Sequence, residues 1–390
     1  MSTLNRRRFL ALSAAAPLAG AAAAHAQPKK YRACIIGDSR QGGYGHHLDL
    51  VWQMRGDVEV VALADPVEQG RDAHARHVKP QRTYADYRQM LEKERPDLVA
   101  VGPRWTVHHK DYLLACAEVG AHGIIEKPLA PSLAEADEAI AALHAKNLKW
   151  TIAFNCRSAE ITRHARRLIF DEGLIGQVLE VRARGKEDHR AGGEDLIVLG
   201  VHLFDLMRYF LGAPEWCEAT VLVDGRLATK ADAHEATERL GPVVGDTIHA
   251  RYEFPGGVPG YFASVKNPDK NQGRFGLDIY GTLGIITMRM GALPEVHMTK
   301  NSSWTVEDGA YPWTPLPDAP DVDPTARHPH VGHYAPLIDD LIASIEEDRR
   351  PFVDITAGRG ALAMIQAVFE TAVTRERVDF PLENRVHPLA

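Results

Sequence analysis

Residues 31–43, YRACIIGDSRQGG, run from an apolar strand straight into a glycine-bearing turn. The strand is apolar at nearly every position, which suits a strand covered on both faces rather than one. The turn aligns with the G-x-G-x-x-G dinucleotide fingerprint, with Gly37 and Gly42 in the first and third places and Ser39 in the second. The first glycine makes the tight turn, the second lets backbone approach a pyrophosphate, and the third lets the next helix approach the sheet. Serine in the middle departs from the pattern, although its hydroxyl can donate to a phosphate. Gly43 and Gly45 keep the entry to a helix over HHLDLVWQM (46–54) open. Free amides at a helix start attract anions.

Working outward, VEVVALADP (58–66) reads as the second strand and closes on Asp65, 28 residues after Gly37. An acid there binds ribose hydroxyls and repels a 2'-phosphate, so NAD is expected over NADP. Further strands follow at DLVAVGP (97–103), HGIIEKP (122–128) and KWTIAFN (149–155), with helical stretches between them. This alternation predicts an α/β chain that opens on a doubly wound parallel sheet over 31–154. Open sheets of this kind bind ligands at the carboxyl ends of their strands. Lys127 stands at such an end. Burial there would lower its pKa and fit it for proton transfer. Arg40 and Glu126 join Gly37, Ser39, Gly42, Asp65 and Lys127 as expected cofactor contacts.

From about 155 the rhythm changes. A helix over 158–172 leads to the strand VLEVRARG and a second helix, LGVHLFDLMRYFLG. Strand-like runs without helices between them then predict a large open, mostly antiparallel sheet. Residues 302–332, rich in proline and aspartate, read as a loop, and two helices at about 333–347 and 357–374 end the chain. RHPHVGH (327–333) carries three histidines at a spacing that matches no common zinc site, so no metal is expected and the segment reads as a loop near the active cleft.

The bulk numbers narrow the function. The chain has 390 residues and a formal charge of −7, without a basic block, which argues against a nucleic-acid surface. Residues 1–26 read as a removable leader with a basic patch, an alanine-rich run and a small-x-small site. Asn5-Arg6-Arg7-Arg8-Phe9-Leu10 resembles the twin-arginine export signal. Its removal leaves a charge of about −10. Beyond the leader, no apolar run is long enough to span a membrane. The expected compartment is the periplasm, reached in the folded state. A nicotinamide cofactor there would have to be held tightly and regenerated in place. Cys34, Cys116, Cys156 and Cys217 are scattered and read as buried thiols.

GIIEKPLA (123–130), the glycine turn, YADYRQMLEKERPDLVAV (84–101), PRWTVHH (103–109) and AFNCR (153–157) together resemble the Gfo/Idh/MocA oxidoreductase family. Similar segments continue through DEGLIGQVLEVRARG, GTLGIITM and FETAVTRERVDFPL, so the resemblance runs from about 31 to the end. It implies a Rossmann domain over 31–154 and a C-terminal α/β domain over 155–390 that binds substrate and joins subunits into a dimer or tetramer. It implies a sugar, cyclitol or sugar derivative as substrate, Lys127 as the catalytic lysine, and a helix histidine, His202, as its partner. The family's aspartate four residues before that histidine is Val198 here. Compensation is expected from GKEDHRAGGED (185–195). Arg104, Trp105, His109, Glu194, Asp195 and Asp205 are the expected substrate contacts. The reaction implied is hydride transfer between a carbinol carbon and NAD(P). The alternatives are a redox-neutral glycosidase, epimerase or lyase cycle, and a sugar-binding protein without catalysis.

Overall fold

The computed structural model describes residues 30–266, 274–305 and 311–390; the leader read at 1–26 lies outside the described residues. Six parallel strands form the first sheet: β1 (Tyr31–Ile36), β2 (Val58–Ala64), β3 (Arg82–Tyr84), β4 (Leu98–Val101), β5 (His122–Ile125) and β6 (Trp150–Ile152). Their order is β3-β2-β1-β4-β5-β6. Every residue of β4 is buried, because helices cover both faces. These helices are α1 (Glu68–Val78), α2 (Tyr87–Glu94), α3 (His109–Val119) and α4 (Leu133–Ala145). The carboxylate of Asp86 caps α2 and the hydroxyl of Ser132 caps α4. The order reverses between β1 and β4, and a crevice opens at their carboxyl ends.

The first crossover differs from the sequence expectation. The helix expected over 46–54 is present as a shorter 3-10 helix at Leu48–Met54. Gly42, Gly43, Gly45 and His47 all have positive φ, between 61° and 82°. Left-handed residues cannot propagate a right-handed helix. The turn therefore extends to residue 47, closed by a backbone pair between Asp38 and Gly43.

The second domain starts with α5 (Asn155–Ser158) and α6 (Glu160–Phe170). It continues through β7 (Val178–Arg184), α7 (Gly193–Val198), α8 (Gly200–Leu211) and β8 (Trp216–Val223). Its sheet has ten strands. The main path runs Glu295–Thr299, Ile285–Arg289, Gly276–Gly281, β7, Val258–Val265, Thr247–Phe254, β8. These neighbours are antiparallel, except that β7 and Val258–Val265 run parallel. Burial alternates along Thr247–Phe254, the signature of a sheet covered on one face. The helices α8 and α10 (Thr356–Thr374) cover that face. The other face carries Arg182, Arg251 and Tyr261 and holds a concavity of about 770 Å³. The preceding helix, α9 (Ala335–Glu346), packs against α5. Glu295–Thr299 and α7 were not expected from the sequence. No helix among the described residues is long and apolar enough to cross a membrane. All four cysteines are buried free thiols, as expected.

Candidate active site

Lys127 follows β5 directly, and its side chain turns into the seam between the domains. It is 6% exposed. Its Nζ donates to the carbonyl oxygen of Val198 at 3.1 Å. Val198 ends α7, so a backbone carbonyl meets the lysine where the family pattern places a carboxylate. Burial pulls the Lys127 ammonium below its ordinary value, against the opposing pull of Glu126 and Glu238.

Glu126 is fully buried and serves the scaffold. One oxygen accepts from the backbone and Nδ1 of His46 at 2.9 and 2.5 Å; the other accepts the Lys127 amide at 2.8 Å. Burial alone would raise this carboxyl, but His46 and Lys127 hold it well below its usual range. The glycine turn is thereby tied to the lysine strand. Gly45 makes the contact possible, since a Cβ there would lie 2.4 Å from the Glu126 Cγ.

His202 sits on α8 and shares a cleft of about 460 Å³ with Lys127, Asn155 and Cys156. Burial, reinforced by Lys127, keeps the imidazole well below its ordinary value, so it is neutral. Its Nδ1 has no hydrogen-bond partner among the described residues. The ring of Phe154 meets it edge-on at 5.6 Å between centroids. His46, His47, Lys186, His330, His333 and Tyr334 complete the polar lining. The C-terminal histidine loop thus reaches the cleft, as its sequence suggested. Burial depresses the Cys156 thiol's acidity, moving its pKa up to about 12, and makes it inert.

A second cleft, of about 350 Å³, lies at the switch point and is lined by Gly37, Asp38, Arg40, Pro66, Tyr87 and Tyr112. It matches where a dinucleotide's adenosine half belongs in such a sheet. Ser39 and Asp65 are already joined. The carboxylate accepts the Ser39 hydroxyl at 2.7 Å and the Val67 amide at 2.8 Å, and Asp65 is fully buried. The expected free ribose acid is therefore a serine–aspartate pair. Arg40 is paired with Asp38 and largely exposed.

Several expected substrate contacts serve the scaffold instead. His109 is fully buried, with Nε2 2.7 Å from the Pro103 carbonyl oxygen and Nδ1 3.1 Å from that of Leu129, so the neutral ring lies between the loops after β4 and β5 and donates to one of them. Asp195 accepts from the Ser264 hydroxyl at 2.6 Å and from the amides of Lys186 and Glu187. Glu194 accepts from Thr237. Asp205 pairs with Arg157 at 2.8 Å. None of these acids lines the Lys127 cleft. Arg104 and Trp105 face the seam, where Arg104 approaches Glu238 at 3.8 Å and the Arg239 guanidinium lies 5.2 Å from the Trp105 ring. Sequence reasoning missed His46, His47, Lys186, Asn155 and Tyr334. The adjacent histidines after Gly45 were a signal, but they were assigned to a helix.

Residues 31–154 match the model of the Gfo/Idh/MocA oxidoreductase family's NAD-binding Rossmann fold, and residues 172–380 match its C-terminal alpha/beta domain. Levoglucosan dehydrogenase of Pseudarthrobacter phenanthrenivorans is 27% identical over 253 residues, which span 58% of this chain and 64% of that one. The NAD(+)-dependent scyllo-inositol 2-dehydrogenase of Bacillus subtilis is 28% identical over 288 residues, 70% of this chain and 79% of that one. Myo-inositol 2-dehydrogenase of Thermotoga maritima is matched over 58% of its length, so the chain spans less than two thirds of two of these three relatives. A solved levoglucosan dehydrogenase, in complex with NADH and levoglucosan, superposes with a TM-score of 0.71 at 20% identity. That alignment covers 90% of this chain and all of the other, a likeness of fold. The chain belongs to the Gfo/Idh/MocA oxidoreductase family, with an NAD-binding Rossmann domain and the family's C-terminal α/β domain.

Proposed function

We propose that this protein is an NAD-dependent dehydrogenase acting on a carbinol carbon of a sugar, cyclitol or sugar derivative. One observation carries the reading: a buried lysine of lowered pKa shares a polar cleft with a neutral histidine, at the carboxyl end of a parallel strand. The named activities of the levoglucosan and scyllo-inositol dehydrogenases support it.

The residues present fit the cofactor. Within the Gly37–Gly43 turn the backbone at Gly43 stands open, with nothing within 4 Å of a Cβ placed there, and the cleft beside the turn has room. Ser39, backed by Asp65, would hold ribose hydroxyls, and the turn amides would hold the pyrophosphate. When bound, the nicotinamide supplies the acceptor for the hydride that leaves the carbinol carbon. The rest falls to the chain. Lys127 in its neutral form accepts the hydroxyl proton, which desolvation makes favourable. His202, neutral and lining the same cleft, hydrogen-bonds and orients the substrate. Asn155 and the cleft histidines bind the remaining hydroxyls. Export through the twin-arginine route, with the cofactor held tightly, belongs to the same proposal.

Lys127→Ala tests the assignment. The variant should fold and carry the same amount of NAD, while turnover falls by about 10²–10⁴. Full activity in the variant would remove Lys127 from the chemistry.

A further inference from the structure

His74 and His77 lie three residues apart on α1 and share one face. Asp49, on the 3-10 helix beneath them, meets both. Its Oδ2 lies 2.6 Å from Nδ1 of His74 and 2.9 Å from Nε2 of His77. The three ligand atoms all lie within 4.8 Å of one another. Asp49 is completely buried, and its second oxygen, Oδ1, has no partner among the described residues. A buried carboxylate compensated on one oxygen by two imidazoles is an incomplete site unless positive charge is added. The imidazoles reach the surface, at 28% and 47% side-chain exposure, and open a path for a small ion.

We propose that Asp49, His74 and His77 bind a divalent cation of the zinc class. Two imidazole nitrogens and one carboxylate oxygen are the donor set such ions take, whereas magnesium and calcium prefer oxygen alone. The solvent-facing side leaves at least one position for water. The set shares no residue with the Lys127 cleft, so its role is structural. Its neighbour shows what it holds. The Tyr44 ring stacks on His74 at 3.6 Å, and the same ring fills the space against Gly37. Fixing His74 therefore fixes the turn that cradles the dinucleotide. The sequence did not reveal this set, because 25 residues separate Asp49 from His74.

The test uses the whole protein, stripped with a chelator and titrated with Zn(II) by calorimetry and with Co(II) by visible absorption. One equivalent should bind at micromolar concentration or tighter, with Co(II) bands of a four- or five-coordinate ion. His77→Gln, at a half-exposed position, should fold normally and lose the bound equivalent; Asp49→Asn should lose it too. Loading the wild-type protein with Zn(II) should tighten NAD binding by about fivefold or more, and His77→Gln should abolish that gain. Absence of saturable binding to the wild-type protein, or equal binding in both variants, would overturn the site. Unchanged NAD affinity on loading would overturn its coupling to the turn.

Discussion

At the scale of the residue, the centre turns on what replaces a missing carboxylate. Val198 offers its backbone carbonyl to Lys127 Nζ. A carbonyl dipole stabilises an ammonium far less than a carboxylate does. The substitution therefore leaves burial as the first influence on Lys127 and favours the neutral amine. Val198→Asp restores the family's pattern. The added charge should raise the pKa of Lys127, so the alkaline rise in kcat/KM should move up by about one pH unit or more. A pH–rate profile of both proteins checks this, and a profile that moves down would mean the carbonyl is not the lysine's counterpart. Lys127 and His202 were legible because each sits in a short motif. The Glu126–His46 contact was not, since 80 residues separate its partners and only the closed turn brings them together.

At the scale of the element, the glycine turn is where pattern and structure part. Strands were legible along most of the chain: β1, β2, β4 and β5 are largely apolar runs, and β7 and Thr247–Phe254 were read as strand-like runs between turn residues. The short α7 was hidden inside a charged stretch whose acids face inward to Ser264 and Thr237, an inversion of the usual reading of charge as surface. The helix after Gly45 starts only at Leu48, and as a 3-10 helix, because its entry is left-handed, which composition does not show. The turn's glycines are also unequal. Gly45 has φ +61°, and a Cβ there would meet the Glu126 side chain and the Gly102 carbonyl, whereas one at Gly43, φ +69°, would meet nothing within 4 Å. Gly45→Ala should cost about 2 kcal/mol or more, from backbone strain and overpacking together. It should also weaken NAD binding. Gly43→Ala should cost about 1–2 kcal/mol from strain alone. Denaturant midpoints of the two variants decide it: equal losses would mean the tie to Glu126 does not hold the turn.

At the scale of the whole molecule, burying histidines makes the fold sensitive to acid. Burial lowers His109, His202, His333 and His387, the last two to about 4. Each is neutral in the native protein at a pH where the unfolded chain, at its ordinary 6.5, takes up a proton. The unfolded state therefore binds more protons below pH 6.5, and stability falls as pH falls toward the native values. Asp195 and Asp205, which burial raises, work in the opposite sense, from their ordinary 3.8 upward. Glu94 sits at about 2, where Arg82 outweighs its burial, and adds its loss only below the ordinary carboxylate range. Between pH 6.5 and 5 the lowered histidines pull stability down. His387 should contribute up to about 1.4 kcal/mol for each pH unit there. Its Nδ1 accepts the Leu389 amide at 3.2 Å, so protonation also breaks that bond. Urea midpoints at pH 7, 6 and 5 should fall steadily for the native protein, and less steeply for His387→Gln, whose amide cannot titrate. A flat profile in the native protein would mean that these imidazoles take up protons in the folded state as readily as in the unfolded chain, against the burial that lowers them.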